Sequence, residues 1–312
     1  MVGLAVAAWA LRSVDLGTVV AVARRLGWAG ALAYLFYSTA VFGLLGAAWL
    51  AVARGEPLAR LPLFTWARLV REAVSELLPW SQIGGLVFAA RTLARAGVPN
   101  ARLYASITAD MMTEMASQFL FTLFGMAMTA QLVLSGRGAA LRPTILAGAA
   151  VLAALLVIVL NQRRLLALAA RVAHRLVPAA GKAIAGIEAE LERVYAERRR
   201  VTLSFACNLA GWIASAAGVW VLLRLAGVEL PLVWALAIEA LIYTVRSAAF
   251  AVPGALGFQE AAYLIVGPVF GLPPETALVV SLAKRARDVA VGVPVLLVWH
   301  WLDARAPREV TA

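Results

Sequence analysis

The sequence predicts an all-α, polytopic integral membrane protein with about six to eight membrane helices. Three observations carry that fold class. The 312 residues are 63% hydrophobic, and the mean hydropathy is +0.85. Charged residues make up 14% of the chain, against about 25% in soluble domains. Apolar runs long enough to cross a bilayer core recur from end to end. The formal net charge of +11 comes mostly from Arg and fits cytoplasmic loops and anionic lipid head groups. Nucleic acid is not an expected partner, because no soluble basic domain is present to bind it. The single cysteine, Cys207, excludes an internal disulfide and a Cys-based metal cluster. His174 and His300 lie far apart, so no metal or cofactor is expected.

Met1 to Leu11 is apolar but too short for a core that needs about 20 residues. It also lacks the basic start and small-residue cleavage site of a signal peptide. It reads either as a half-buried helix or as the remainder of a longer first span. Residues 15–27 read as an interfacial amphipathic helix and 28–53 as the first clear span. Residues 64–78 are helical but carry Arg68, Arg71, Glu72 and Glu76, and Pro79 then breaks the chain. The pair around Pro79 therefore reads as helix, break, helix, and Gly84 and Gly85 read either as part of the break or as a close helix-packing contact. A long helix is expected over 101–134, and clean spans over 143–160 and 201–226. Residues 232–251 lead to Pro253 and Gly254, then 255–270, then a last helix from 274 to about 301. The polar segment 161–200 is rich in Arg and should be cytoplasmic, as should the C-terminal tail. Arg24 and Arg25 would then face outside, against the same rule.

A shift of 174 residues places Pro253 on Pro79, Gly271 on Gly97, Pro273 on Pro99, Ala283 on Ala109 and Ala290 on Ala116. In each copy a broken apolar segment ends at a second Pro, and a helix restarts there. The expected organisation is one membrane domain over 1–312, with repeat cores at 64–134 and 232–301. On that topology the copies are inverted and their broken elements re-entrant. That layout belongs to secondary transporters with a site near the membrane midplane. Ten residues into a helix is roughly 15 Å, close to the centre of a roughly 30 Å core. Asp110 and Glu114 in the first copy reach that depth. Lys284, Arg285, Arg287 and Asp288 do so in the second.

A charge at that depth costs about 2.5–3.5 kcal/mol or more unless it is paired or wet. Lys284 and Asp288 are spaced to pair within one helix, and Asp110 and Glu114 are candidate partners for Arg285 and Arg287. Such charges either lock two repeats together or line a cavity where Arg and Lys hold a lipid phosphate. The expected substrate-binding set is Arg246, Glu260, Lys284, Arg285, Arg287, Asp288, Asp110 and Glu114. Arg246 and Glu260 flank the second break, where a substrate contact and a clamp on the helix are equally open readings. The expected structural breaks are Pro79, Gly84, Gly85, Pro253, Gly254 and Gly257. Gln118, Asn208 and Thr108 read as hydrogen-bonders between helices. No P-loop, zinc-protease, nucleophile-elbow or dinucleotide motif occurs, so no catalytic residue is assigned.

The stretches "LLPWSQIGGLVFAARTLARAGVP" with "ADMMTEM", and "VPGALGFQEAAYLIVG" followed by "GLPPETALVVSLAKRARD", resemble the lysylphosphatidylglycerol synthase/flippase transmembrane-region family. The likeness covers nearly the whole chain. Its most recognisable piece is Pro253, Gly254, Gly257 and Glu260. "VRSAAFAVPGALG" and "KRARD" look most like the hopanoid-biosynthesis-associated branch. The resemblance implies a bacterial inner-membrane protein that moves or handles polar lipids. In full-length synthases a soluble domain after the membrane region attaches the amino acid. This sequence ends shortly after its last helix, so aminoacyl transfer is not expected. The first span of relatives looks cut short here. The expected function is a lipid transporter of flippase type, acting on hopanoids or other polar lipids through a charged midplane cavity. Membrane lipids are the expected partners, with lipid-biosynthesis enzymes as a further class. The rival readings are an enzyme or accessory subunit of polar-lipid biosynthesis, and a structural membrane scaffold.

Overall fold

In a computed structural model the described residues are 14–78, 81–132, 181–249 and 252–305, with isolated positions 153, 157 and 161. All regular structure among them is helical. Pro79, the N-terminal stretch to Leu11, nearly all of the expected span 143–160, and residues 162–180 lie outside them.

Helix α1 (Leu16–Val52) starts where the Asp15 carboxylate accepts hydrogen bonds from the Gly17 and Thr18 amides at 3.1 and 3.0 Å. Gly27 interrupts it at φ 61°, ψ 177°. The interfacial piece and the span expected from the sequence meet at that residue. Helix α2 (Leu61–Leu77) has Pro62 in its first turn, where a missing N–H costs little. It buries Phe64, Ala67, Val70 and Val74 together with Arg68, Arg71 and Ser75, so its polar face points into protein. Helix α3 (Ser81–Arg95) packs back on α2 through Gly85. A Cβ at that position would stand 2.3 Å from Ser75 Oγ and 2.5 Å from the Arg71 carbonyl oxygen. Gly84 and Gly85 are therefore inside a helix and are not breaks, and Gly85 stands at a close helix-packing contact.

Helix α4 (Asn100–Leu132) precedes α5 (Gly181–Ala196) and α6 (Arg198–Leu225) in the chain. Helix α7 (Leu232–Ala248) then leads to a short 3-10 turn at Pro253–Ala255. Helix α8 (Phe258–Val266) comes next, then a second 3-10 turn at Gly267–Phe270, and finally α9 (Pro274–Arg305). The order helix, short helix, turn, long helix occurs twice, as α2–α3–α4 and as α7–α8–α9.

The turn at Pro253–Ala255 is a true change of backbone direction. Gly254 sits at φ 54°, Ala255 at φ 48° and Gly257 at φ 82°, all in left-handed space that Gly enters without penalty. The Gly257 amide donates to Glu260 at 2.7 Å and starts α8. Glu260 is thus partly a helix cap.

Among the described residues two helices, Gly17–Val52 and Arg198–Leu225, are long and apolar enough by themselves to cross a membrane. The sequence predicts more. Helices α4 and α9, at 33 and 32 residues, are long enough but carry polar side chains mid-length. Asp110, Thr113 and Gln118 of α4 and Lys284 and Asp288 of α9 are buried in the bundle. Two apolar cores hold the helices around those polar centres. Tyr34, Leu222, Leu223, Ile238, Tyr263 and Phe270 contribute to one. Trp49, Phe64, Leu93 and Leu103 contribute to the other.

Candidate functional site

The buried half of α2 carries the first charge cluster. Residues 68, 71, 72 and 76 recur at helical spacing, so they share one side of the helix. Arg68 donates to Asp110 at 2.9 Å and also to Glu114. Arg71 donates to Glu114 at 3.0 Å and lies 3.8 Å from Asp110. Asn208 of α6 donates to Asp110 at 3.3 Å and to Thr113 at 3.2 Å, and Thr113 shares a 2.7 Å bond with Ser204. Arg68 and Asp110 are 3% and 1% exposed, so neither charge has water to fall back on. The result is a closed box of two guanidiniums and two carboxylates that ties α2, α4 and α6 together.

The second cluster sits where α2, α7, α8 and α9 meet. Lys284 donates to Glu239 at 2.6 Å and to the Tyr263 hydroxyl at 3.1 Å, and that hydroxyl also donates to Glu239. Lys284 lies over the Tyr243 ring, 4.7 Å from its centre, which suits a cation shielded from water. Arg246 donates to Glu76 and to Gln259. Gln259 in turn donates to Ser281 at 2.9 Å. Arg285 donates to Glu260 at 3.1 Å and approaches Glu76 at 3.7 Å. A Cβ on Gly254 would come within 2.6 Å of the Arg285 guanidinium, so the turn and the cluster are fitted to each other. Arg287 pairs with its neighbour Asp288 at 3.1 Å.

These partners differ from the sequence expectation. Lys284 does not pair with Asp288 within the helix. It reaches Glu239, which is fully buried and has Tyr263 to complete the site. Asp110 and Glu114 do not meet Arg285 and Arg287; they are taken by Arg68 and Arg71 of α2. Gln118 and Asn208 do bond to other helices, whereas Thr108 bonds to the Tyr104 carbonyl of its own helix.

Both clusters face one cleft. Its walls include Arg68, Glu72, Glu114, Trp212, Tyr243, Arg246, Lys284 and Arg287, and its volume is about 80 Å³. A wider cavity of about 510 Å³ shares Glu72, Glu114, Trp212, Tyr243 and Arg246 with it and extends to Gln82, Ser247 and Gly254. Glu72 lines both and has no ion pair among the described residues. Buried polar atoms with no hydrogen-bond partner in the two clusters are Glu76 Oε2, one terminal nitrogen of Arg285, Arg287 Nε and Asp288 Oδ2 around α9, and Arg68 Nε and Asn208 Oδ1 around α4.

Of the expected binding residues, Arg246, Lys284, Arg287 and Glu114 line the cleft. Asp288 lines a small side pocket with Glu72 and Glu76. Asp110 stands behind the cleft as a partner of Arg68, while Arg285 meets Glu76 of the wider cavity and Glu260 holds Arg285 a layer further back. Arg68, Arg71, Glu72, Glu76, Glu239 and Gln259 belong to the site without being expected there from sequence. The four charges on α2 form a helical face in a membrane segment, and that face is the signal available for them.

A family model described as the lysylphosphatidylglycerol synthase TM region matches residues 1–295. No curated protein and no solved structure matches the chain. The chain belongs to the lysylphosphatidylglycerol synthase transmembrane-region family, a family of membrane proteins connected with lipid handling.

Proposed function

We propose that this chain moves polar lipids across a bacterial inner membrane, in the manner of a flippase, with the cleft between α2, α4, α7 and α9 receiving the head group. One observation carries the reading. A membrane-family chain places four cations and two carboxylates on the wall of one cleft, and one of those carboxylates, Glu72, has no ion pair among the described residues. Burying so much charge for stability alone is a poor use of it, since a buried ion pair roughly breaks even against apolar packing. Lined along a cleft, the same groups offer phosphate ligands and a counter-charge for a cationic part of the head group. Hopanoids with polar head groups and phospholipids are the substrate classes this chemistry suits.

The distribution of surface charge supports an orientation. Arg54 at the end of α1 pairs with Glu197 at 2.6 Å beside Arg198, Arg199 and Arg200. Arg91 and Arg95 at the end of α3 meet Asp303 at the end of α9. The ends of α1, α3 and α9 and the start of α6 thus carry the basic residues, and by the positive-inside rule they face the cytoplasm.

Reconstitution in liposomes with a fluorescent phospholipid, read by accessibility to an external quencher, tests the function. Wild type should expose inner-leaflet lipid faster than empty liposomes, and Arg285→Ala/Arg287→Ala should return the rate to background. Equal rates for wild type, variant and empty liposomes would overturn the proposal.

A further inference from the structure

A third hollow lies on the outer side of the cleft. It is an apolar groove of about 510 Å³ between α1 and α9, whose walls include Leu26, Leu32, Val279, Leu282 and Ala286. Leu32 and Leu282 are 50% and 40% exposed, so the groove opens on the surface that an apolar medium would cover. Two polar side chains, Tyr34 and Arg287, also line it, and both line the central cleft as well. The groove and the cleft therefore meet at these two residues.

Arg287 is the anomaly. Its one ion-pair partner among the described residues is the adjacent Asp288, and its buried Nε has no hydrogen-bond partner. A guanidinium at the end of an apolar groove is costly unless an anion meets it there. A docked apolar helix would fill the groove but leave that cation unanswered. A phospholipid answers both parts at once, because its acyl chain matches the groove and its phosphate matches the planar fork of Arg.

We infer that the α1–α9 groove is a lateral entry site for an anionic diacyl phospholipid, with one acyl chain in the groove and the phosphate on Arg287 at the threshold of the cleft. This rests on the proposed lipid-moving function and adds the route by which the lipid arrives. Alanines at 283, 286 and 290 leave room for the chain along α9, and Tyr34 offers a hydroxyl beside the phosphate.

The test uses the full chain in nanodiscs and a phosphatidylglycerol probe with a photoreactive group at the end of one acyl chain. Cross-linked peptides are mapped by mass spectrometry, with photoreactive diacylglycerol as the uncharged control. Labelling should concentrate on residues 26–35 and 279–290 and exceed that of diacylglycerol. Arg287→Gln should reduce the phosphatidylglycerol label about tenfold and leave diacylglycerol unchanged, as loss of a charge-assisted contact requires. Ala286→Trp, which fills the groove, should reduce both labels, and Ala286→Leu provides a smaller filling should the first variant fold poorly. Label spread evenly over lipid-facing positions such as Ile83 and Val87, or equal label from both probes, overturns the inference. Cross-links to a second copy in place of lipid also overturn it. Labelling is independent of transport. Groove labelling without lipid movement would sink the flippase reading alone, and lipid movement without groove labelling would sink the entry site alone.

Discussion

The α4 cluster and the α9 cluster both balance cations against carboxylates, but they are closed to different degrees. Around α4, Arg68 and Arg71 each meet both Asp110 and Glu114, and Asn208 adds a neutral donor. The buried atoms left without a hydrogen bond there are Arg68 Nε and Asn208 Oδ1, neither of them on a carboxylate. Around α9, Lys284, Arg246, Arg285 and Arg287 face Glu239, Glu76, Glu260 and Asp288, yet Arg285, Arg287, Glu76 and Asp288 each keep a buried atom without a hydrogen bond. The better satisfied a network is, the more it rigidifies, and unpaired carboxylate and guanidinium atoms together, as around α9, leave more capacity for another ligand. The difference separates a lock, which fixes α2 against α4 and α6, from a receptor surface on α9.

The comparison breaks most sharply at Arg68. Replacing it by Met leaves Asp110 and Glu114 buried with Arg71 alone, and should cost about 3–5 kcal/mol, read as a large fall in Tm in detergent. A Tm near wild type would mean the box is not a lock. Lys284→Met should cost a similar amount, because Glu239 is 0% exposed. The double variant Lys284→Met/Glu239→Met should recover most of that loss, because the uncompensated charge is gone. Failure of the second substitution to restore Tm would show that Lys284 does more than neutralise Glu239.

Gly254→Ala tests the fit between turn and cluster. The left-handed backbone at φ 54° alone should cost about 1–2 kcal/mol, and the new methyl also presses on Arg285. Unchanged stability would argue that the turn is free to relax. The smallest effect is expected at the membrane surface. The hydrogen bond from Arg200, and then the charges of Arg200 and Arg54, hold the Glu197 carboxyl below its ordinary range. A lowered carboxylate contributes stability above its unfolded pKa and loses it as pH falls through the folded value. The Tm difference between wild type and Glu197→Gln should therefore be slight at neutral pH and vanish in acid. A difference that grows toward acid would reverse the sign of that linkage.

The order of helices is legible in the sequence because punctuation is local. Pro253, Gly254 and the pair at 273 and 274 mark ends that any neighbours would leave in place, and Gly27 falls at the junction read from composition. Partner choice is not legible, because it is decided across helices. The i,i+4 spacing of Lys284 and Asp288 is a weak preference worth about 0.2–0.5 kcal/mol on an isolated helix. A fully buried Glu239 with a tyrosine beside it outweighs that preference. Gly84 and Gly85 admit two readings in sequence, a break and close helix packing, and the packing reading holds at Gly85. A glycine that admits a neighbouring helix and a glycine that breaks its own look alike until the neighbour is placed. The charged face of α2 is legible, but in sequence it resembles a defect in a span more than the wall of a site.

The central claim is that α9 presents a receptor surface and α4 a lock, and Arg287→Gln measures it most directly. Its Tm and its lipid-exposure rate in liposomes should be determined on one preparation. The predicted result is a fall in Tm smaller than that of Arg68→Met, since among the described residues Arg287 pairs with one carboxylate, its chain neighbour Asp288, whereas Arg68 holds two, with the rate reduced to that of empty liposomes. A variant that loses stability as Arg68→Met does, or that moves lipid at the wild-type rate, would contradict the division.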